Sequence, residues 1–145
     1  MSSPESFKFR NTLHKLYWYK PIRSGDLTAI PFPQLNVGKV VARYISERSS
    51  NKHMGLEVDV YFKRLISDLV DYYWGVKGVL LTNIGILLEP DLCLNVEKIL
   101  MDLSREYAII IFWPFQVEES RRLVWDDTPK ASLDFPEQTI HRLEL

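Results

Sequence analysis

Residues 76–90, VKGVLLTNIGILLEP, form an almost continuous apolar run. A strand with one wet face alternates apolar and polar residues, whereas a strand covered on both faces reads as an unbroken hydrophobic segment. The run therefore predicts a central strand of a parallel sheet. Asn95 follows as an N-cap ahead of an apolar stripe at Val96, Ile99, Leu100 and Leu103, with Glu97, Lys98, Asp102, Arg105 and Glu106 on the outer side. That helix delivers the chain to residues 108–115, AIIIFWPF, a second buried strand stopped by Pro114. Strand, helix and strand within about 35 residues form a crossover unit, so the two strands are expected to be parallel and adjacent or nearly so.

Working toward the N-terminus, residues 56–74, LEVDVYFKRLISDLVDYYW, open with alternation at Leu56, Val58 and Val60, then step by three and four from Phe62 through Ile66 to Tyr73. The reading is a short strand at 56–58, an N-cap at Asp59 and a helix to about Trp74. Before that, LTAIPF at 27–32 reads as a short strand cut off by Pro31, followed by a loop ending at Gly38 and Lys39 and a helix carrying Val41, Tyr44 and Ile45 on one face. Phe9, Leu13, Leu16 and Tyr17 have helical spacing, which predicts an N-terminal amphipathic helix before the break at Pro21 and Gly25. Beyond the second buried strand, a short strand near 123–125 and a final amphipathic segment are expected. The division is an N-terminal helix and linker at 1–24 and one α/β domain at 25–145.

A chain of 145 residues, 46% hydrophobic and 26% charged, has the composition of a single folded domain. Its net charge of −1 gives no overall attraction to nucleic acid or an anionic membrane, although Lys8, Arg10, Lys15, Lys20 and Arg23 face only Glu5 near the N-terminus. The single cysteine, Cys93, excludes an intrachain disulfide and reads as a small buried hydrophobe between Leu92 and Leu94. No cluster with metal-ligand spacing, leader-like segment or membrane-length apolar run is visible, so a cytoplasmic protein without membrane association is expected.

The order strand, loop, Gly38-Lys39, helix outlines a phosphate-binding loop of the G-x-x-x-x-G-K-[ST] type, whose glycines let backbone N–H groups close on phosphate and whose hydroxyl holds Mg²⁺. Pro33 replaces the first glycine and Val40 the hydroxyl residue. The acidic strand end that would complete ATP chemistry is Thr82 and Asn83, with no carboxylate before Glu89. Gly38, Lys39 and Asn83 are the candidate residues for weak nucleotide or anion binding; no catalytic or metal-binding residue is assigned.

The run LLTNIGILLEPDLCLNVEKILMDLSREYAIIIFWP at 80–114 resembles the small P-loop proteins of bacterial BREX phage-exclusion systems, the BrxF family, through Asn83, Ile84, Leu87, Pro90, Leu92, Leu100, Leu103, Ser104, Arg105, Trp113 and Pro114. The resemblance implies an ATPase-like α/β core and a place in a multi-protein antiphage assembly; Pro33, Val40, Thr82 and Gly85 depart from the nucleotide-site pattern. The expected fold is thus a three-layer α/β domain with a mostly parallel sheet, like a reduced P-loop NTPase core with an added N-terminal helix. The expected function is a non-enzymatic structural or regulatory subunit that binds itself or larger defence-system proteins. A nucleotide-binding protein or weak ATPase using ATP and Mg²⁺ is the second reading, and a DNA-binding accessory module the third. Tyr17, Trp18, Tyr19, Arg105 and Trp113 are the candidate interface residues; the aromatic triplet beside Lys15, Lys20 and Arg23 also has the composition of a nucleic-acid surface.

Overall fold

The computed structural model describes residues 13–23, 26–48, 54–125 and 128–145, with side chains in the last segment from 132 onward. The chain forms an α/β fold built on a mostly parallel sheet. Strand β1 (Leu16–Tyr19) comes first, then β2 (Gln34–Asn36), α1 (Val37–Ser46), α2 (Met54–Leu69), β3 (Asp71–Tyr73) and β4 (Val76–Thr82). Two 3-10 segments, Ile84–Leu88 and Pro90–Leu92, lead to α3 (Val96–Ser104) and β5 (Ala108–Phe112). A meander of β6 (Gln116–Glu118), β7 (Arg122–Trp125) and β8 (Thr128–Asp134) precedes β9 (Ile140–Arg142). The central sheet has the order β2-β4-β5-β1-β9, all parallel, and β3 pairs antiparallel with the first half of β4. The meander forms a separate antiparallel sheet.

Handedness explains the layers. Steps from β2 to β4 to β5 and on to β9 all move the same way across the sheet, and right-handed crossovers put their connections on one face. The buried side chains of that face, Leu16, Trp18, Val79, Leu81, Ile109 and Ile111, pack with Val41, Val58, Phe62, Leu100 and the meander's Leu123 and Leu133. Only the step from β1 to β2 moves the other way. The part of its connection at 26–33, a coil strap, lies on the opposite face, where Ile30 and Phe32 pack on Tyr17, Leu80, Ala108 and Ile110. Helices and meander, sheet, and strap are the three layers.

The central crossover has the order its sequence predicts, but the strand is shorter than the 76–90 run: it ends at Thr82, and Ile84–Leu88 is a 3-10 segment entered through Asn83 in left-handed backbone. β4 is buried through its second half, Asn95 accepts from the Lys98 N–H, and Val96, Ile99, Leu100 and Leu103 are buried beneath α3. β4 and β5 pair in parallel, Val79 opposite Ile109.

Three elements differ from the sequence reading. Residues 16–19 are a strand, not the end of a helix: Leu16, Tyr17 and Trp18 are buried in a strand flanked by β5 and β9, an environment that favours aromatic residues in extended backbone. The N-terminal part of the expected helix, from Phe9, lies outside the described residues, as does the domain division at 24–25. α2 begins at Met54 rather than after Asp59, because the period that buries Met54, Val58, Phe62 and Ile66 wins over the alternation of Leu56 and Val60, which are exposed. Its end is Leu69, and the chain turns through Trp74 and Gly75, both at positive φ, into the β3–β4 hairpin, as a two-residue primed turn requires. The 27–32 segment is coil on the sheet, not a strand. Among the described residues no helix is long and apolar enough to cross a membrane.

Candidate functional site

In open α/β sheets the ligand crevice lies outside the carboxyl ends of the strands, where neighbouring connections leave toward opposite faces. Here that switch point falls between β1 and β5. The phosphate-loop outline at 33–39 falls elsewhere, on β2 at the edge of the sheet. It also lacks a loop: β2 occupies Gln34–Asn36 and α1 starts at Val37, so the residues meant to curl around phosphate are extended strand. Gly38 and Lys39 are the second and third residues of the helix.

The sheet nonetheless brings together the three residues singled out for anion binding. Asn36 is the N-cap of α1, its Oδ1 accepting from the Lys39 N–H at 3.0 Å. Asn83, at the end of β4 in left-handed backbone, donates from Nδ2 to the same oxygen at 3.1 Å. Because that oxygen already accepts from a backbone N–H, its side-chain partner must be a donor, which fixes the amide orientation. Asn83 lies so close over Gly38 that a Cβ there would stand 2.2 Å from Nδ2. Glycine at 38 therefore makes room for a side-chain amide. Thr82 Oγ1 donates to Leu35 O at 3.4 Å, tying the same two strand ends.

A helix start attracts anions through unpaired N–H groups aimed outward. At α1 one donor is capped and the space over Gly38 is filled by Asn83, while the Lys39 side chain is exposed. The polar groups of this end of β4 are neutral amides and a hydroxyl, without the carboxylate that makes hard-cation coordination strong. Among the described residues no group of three or more His, Cys, Asp and Glu is placed to hold a metal ion.

At the β1–β5 switch point the crevice is spanned by the protein's own contacts. Trp113 N–H donates to Tyr19 O at 2.9 Å, and Lys20 Nζ donates to Phe115 O at 3.1 Å. The Trp113 ring, 2% exposed, packs edge-on against Trp125 and Phe115 at centroid distances of 4.4 and 5.4 Å, and its Nε1 donates to Gln116 O. Trp18 Nε1 reaches Ser120 O at 3.3 Å, and Trp125 lies beside Gly85. Strand ends and meander are thus locked by indole groups. The local pattern at 33–39 points to the edge strand because strand order, which no local pattern carries, decides where a crevice falls.

The interface candidates divide. Tyr17, Trp18 and Trp113 are core residues, which removes their rings from any surface and removes the stacking platform expected of a nucleic-acid site. Tyr19 is partly buried, and burial, with Asp26 adding to it, holds its hydroxyl above the usual tyrosine range. Arg105 is exposed at the C-cap of α3. Cys93 is exposed, not buried, at φ 50° after the second 3-10 segment. Tyr72 and Tyr73 are exposed on β3.

One pairing was invisible in the sequence. His14 Nδ1 lies 3.0 Å from both Ser104 Oγ and Met101 O. A carbonyl only accepts, so Nδ1 carries the proton, while the Ser104 hydroxyl donates to Met101 O at 2.7 Å. A serine whose proton points away from the imidazole, and which is fully buried, is no nucleophile. The pair closes the C-terminal end of α3 against the chain entering β1.

The fold and this edge define an α/β protein with a mostly parallel sheet whose strand ends are filled by its own side chains. No family profile, characterised protein or solved structure matches the chain.

Proposed function

We propose that this protein is a non-enzymatic, P-loop-like structural or regulatory subunit of an antiphage defence complex, acting through binding to itself or to larger defence-system proteins in the cytoplasm. The observation that carries the non-enzymatic part is the Asn83 amide seated over Gly38 and bonded to Asn36, where a phosphate would need free donors. The filled crevice at Trp113 adds to it. The antiphage part rests on the resemblance of residues 80–114 to the BREX proteins. Affinity capture of the full chain from its native host tests the assembly: co-purification of larger defence proteins is expected, and recovery of the chain without any of them would overturn that part. Thermal stability with ATP and Mg²⁺ tests the edge. A ligand that binds only the native state must raise the midpoint, so an unchanged midpoint is expected and a concentration-dependent rise would establish the nucleotide-binding reading instead.

A further inference from the structure

α2 and α3 lie side by side in the same sense on the sheet. Gly55 holds the start of α2 against the Leu92 carbonyl just before α3, where a Cβ would stand 1.9 Å from that oxygen, and Tyr107 Oη donates to Ser67 Oγ at the other end. Between them runs an open groove of about 370 Å³. Along α2 the charges on its wall read acid then base, Asp59 paired with Lys63 at 3.2 Å; along α3 they read base then acid, Lys98 paired with Asp102 at 3.0 Å. Lys63 also acts on Asp102 across the groove. The four charges on the two helices therefore form a checkerboard, and a fifth, Asp91, lines the groove from the 3-10 segment at its end.

We propose that this face docks a second copy of the chain, α2 of one copy over α3 of the other, about a two-fold axis parallel to the helices. Such a rotation carries Asp59 over the partner's Lys98 and Lys63 over the partner's Asp102, so the pattern is complementary to itself, as an isologous interface requires. Leu56 and Val60, one turn apart on α2, are 66% and 53% exposed and supply apolar contact beside the charges. The 16 residues of α2 span about 24 Å, and two helix widths give roughly 500 Å² per copy, near the lower bound for a specific interface and in keeping with a weak, roughly micromolar association. This surface is separate from the contacts that fill the strand ends, so a response to ATP would overturn the edge reading and leave this one standing.

Sedimentation of the full chain at roughly 100 μM, well above a micromolar dissociation constant, is expected to show twice the 17.0 kDa monomer mass. Leu56→Glu with Val60→Glu, both at exposed positions, should return the monomer and match the wild-type thermal midpoint once both are measured far below the dissociation constant, where the wild type is also monomeric. Asp59→Lys with Lys63→Asp keeps the pair within α2 but turns the checkerboard into stripes, and should weaken association at least tenfold; adding Lys98→Asp and Asp102→Lys should restore it. Cys93, the sole cysteine, lies at the groove's end, so a short bis-maleimide should cross-link the two copies. A monomeric wild type, a dimer indifferent to the α2 substitutions, no rescue by the four-fold inversion, or no Cys93 cross-link would each overturn the arrangement.

Discussion

The two faces of the central sheet are closed by different means. On one, three helices and a meander cover Val79, Leu81, Ile109 and Ile111, and the core extends outward through Phe62 and Leu100. On the other, the cover over Leu80, Ala108 and Ile110 is, among the described residues, a coil without a helix. A coil buries area only by lying close, and the sheet beneath it is correspondingly shallow: Gly78 and Ala108 sit below Phe32, where a Cβ on Gly78 would stand 2.8 Å from the ring and 2.9 Å from Ala108 O. Direction of crossover decides which face a connection takes, and the nature of the connection decides how small the residues under it must be.

This contrast can be broken or sharpened by substitution. The largest effect is expected on the helical face: Leu100→Ala should cost roughly 2–5 kcal/mol in denaturant unfolding, as for a truncated buried leucine. An unchanged midpoint would show that this face does not carry the core. On the strap face Gly78→Ala should cost roughly 1–3 kcal/mol through overpacking. Its signature is local: the Leu80 amide, bonded to Pro33 O at 2.8 Å, should exchange faster while α3 amides follow only the change in global stability. Acceleration of the α3 amides as large as that of the Leu80 amide would show that the two faces unfold as one.

Smaller effects are expected at the strand ends and helix surfaces. Asn36→Ala removes the α1 cap and the acceptor of Asn83, and should cost about 0.5–2 kcal/mol, while Asn36→Asp keeps an acceptor and should cost less. Equal losses in the two variants would remove the cap as the cause. The smallest is Lys98→Ala, at most a few tenths of a kcal/mol because the pair is exposed. The Lys98 hydrogen bond is the main cause that holds the Asp102 carboxyl below its ordinary range. With the folded value depressed, this contribution is present above the unfolded carboxylate value and lost as pH falls through the folded one. A difference between wild type and Lys98→Ala that persists in strong acid would contradict that assignment.

What was legible in the sequence follows from how each element is buried. β4, α3 and β5 could be read because a doubly covered strand is a continuous apolar run and a one-sided helix is a stripe headed by a cap, here Asn95. β1 was not, since Leu13, Leu16 and Tyr17 also satisfy helical spacing and only its neighbours β5 and β9 make it a strand. At the edge, residue types alone identified Gly38, Lys39 and Asn83 as belonging together, but the hydrogen bond joining Asn83 to Asn36 spans 47 positions. That bond turns an apparent anion site into a filled one, and strand order moves the crevice away from it to Trp113.

The filled edge is tested most directly by calorimetric titration of the full chain with ATP and Mg²⁺, alongside Lys39→Ala. The account predicts no saturable heat at ligand concentrations up to about 1 mM, a ceiling that would reveal even weak binding, and the same absence of heat, with an intact fold, in Lys39→Ala. Saturable binding to the wild type that Lys39→Ala abolishes would contradict it.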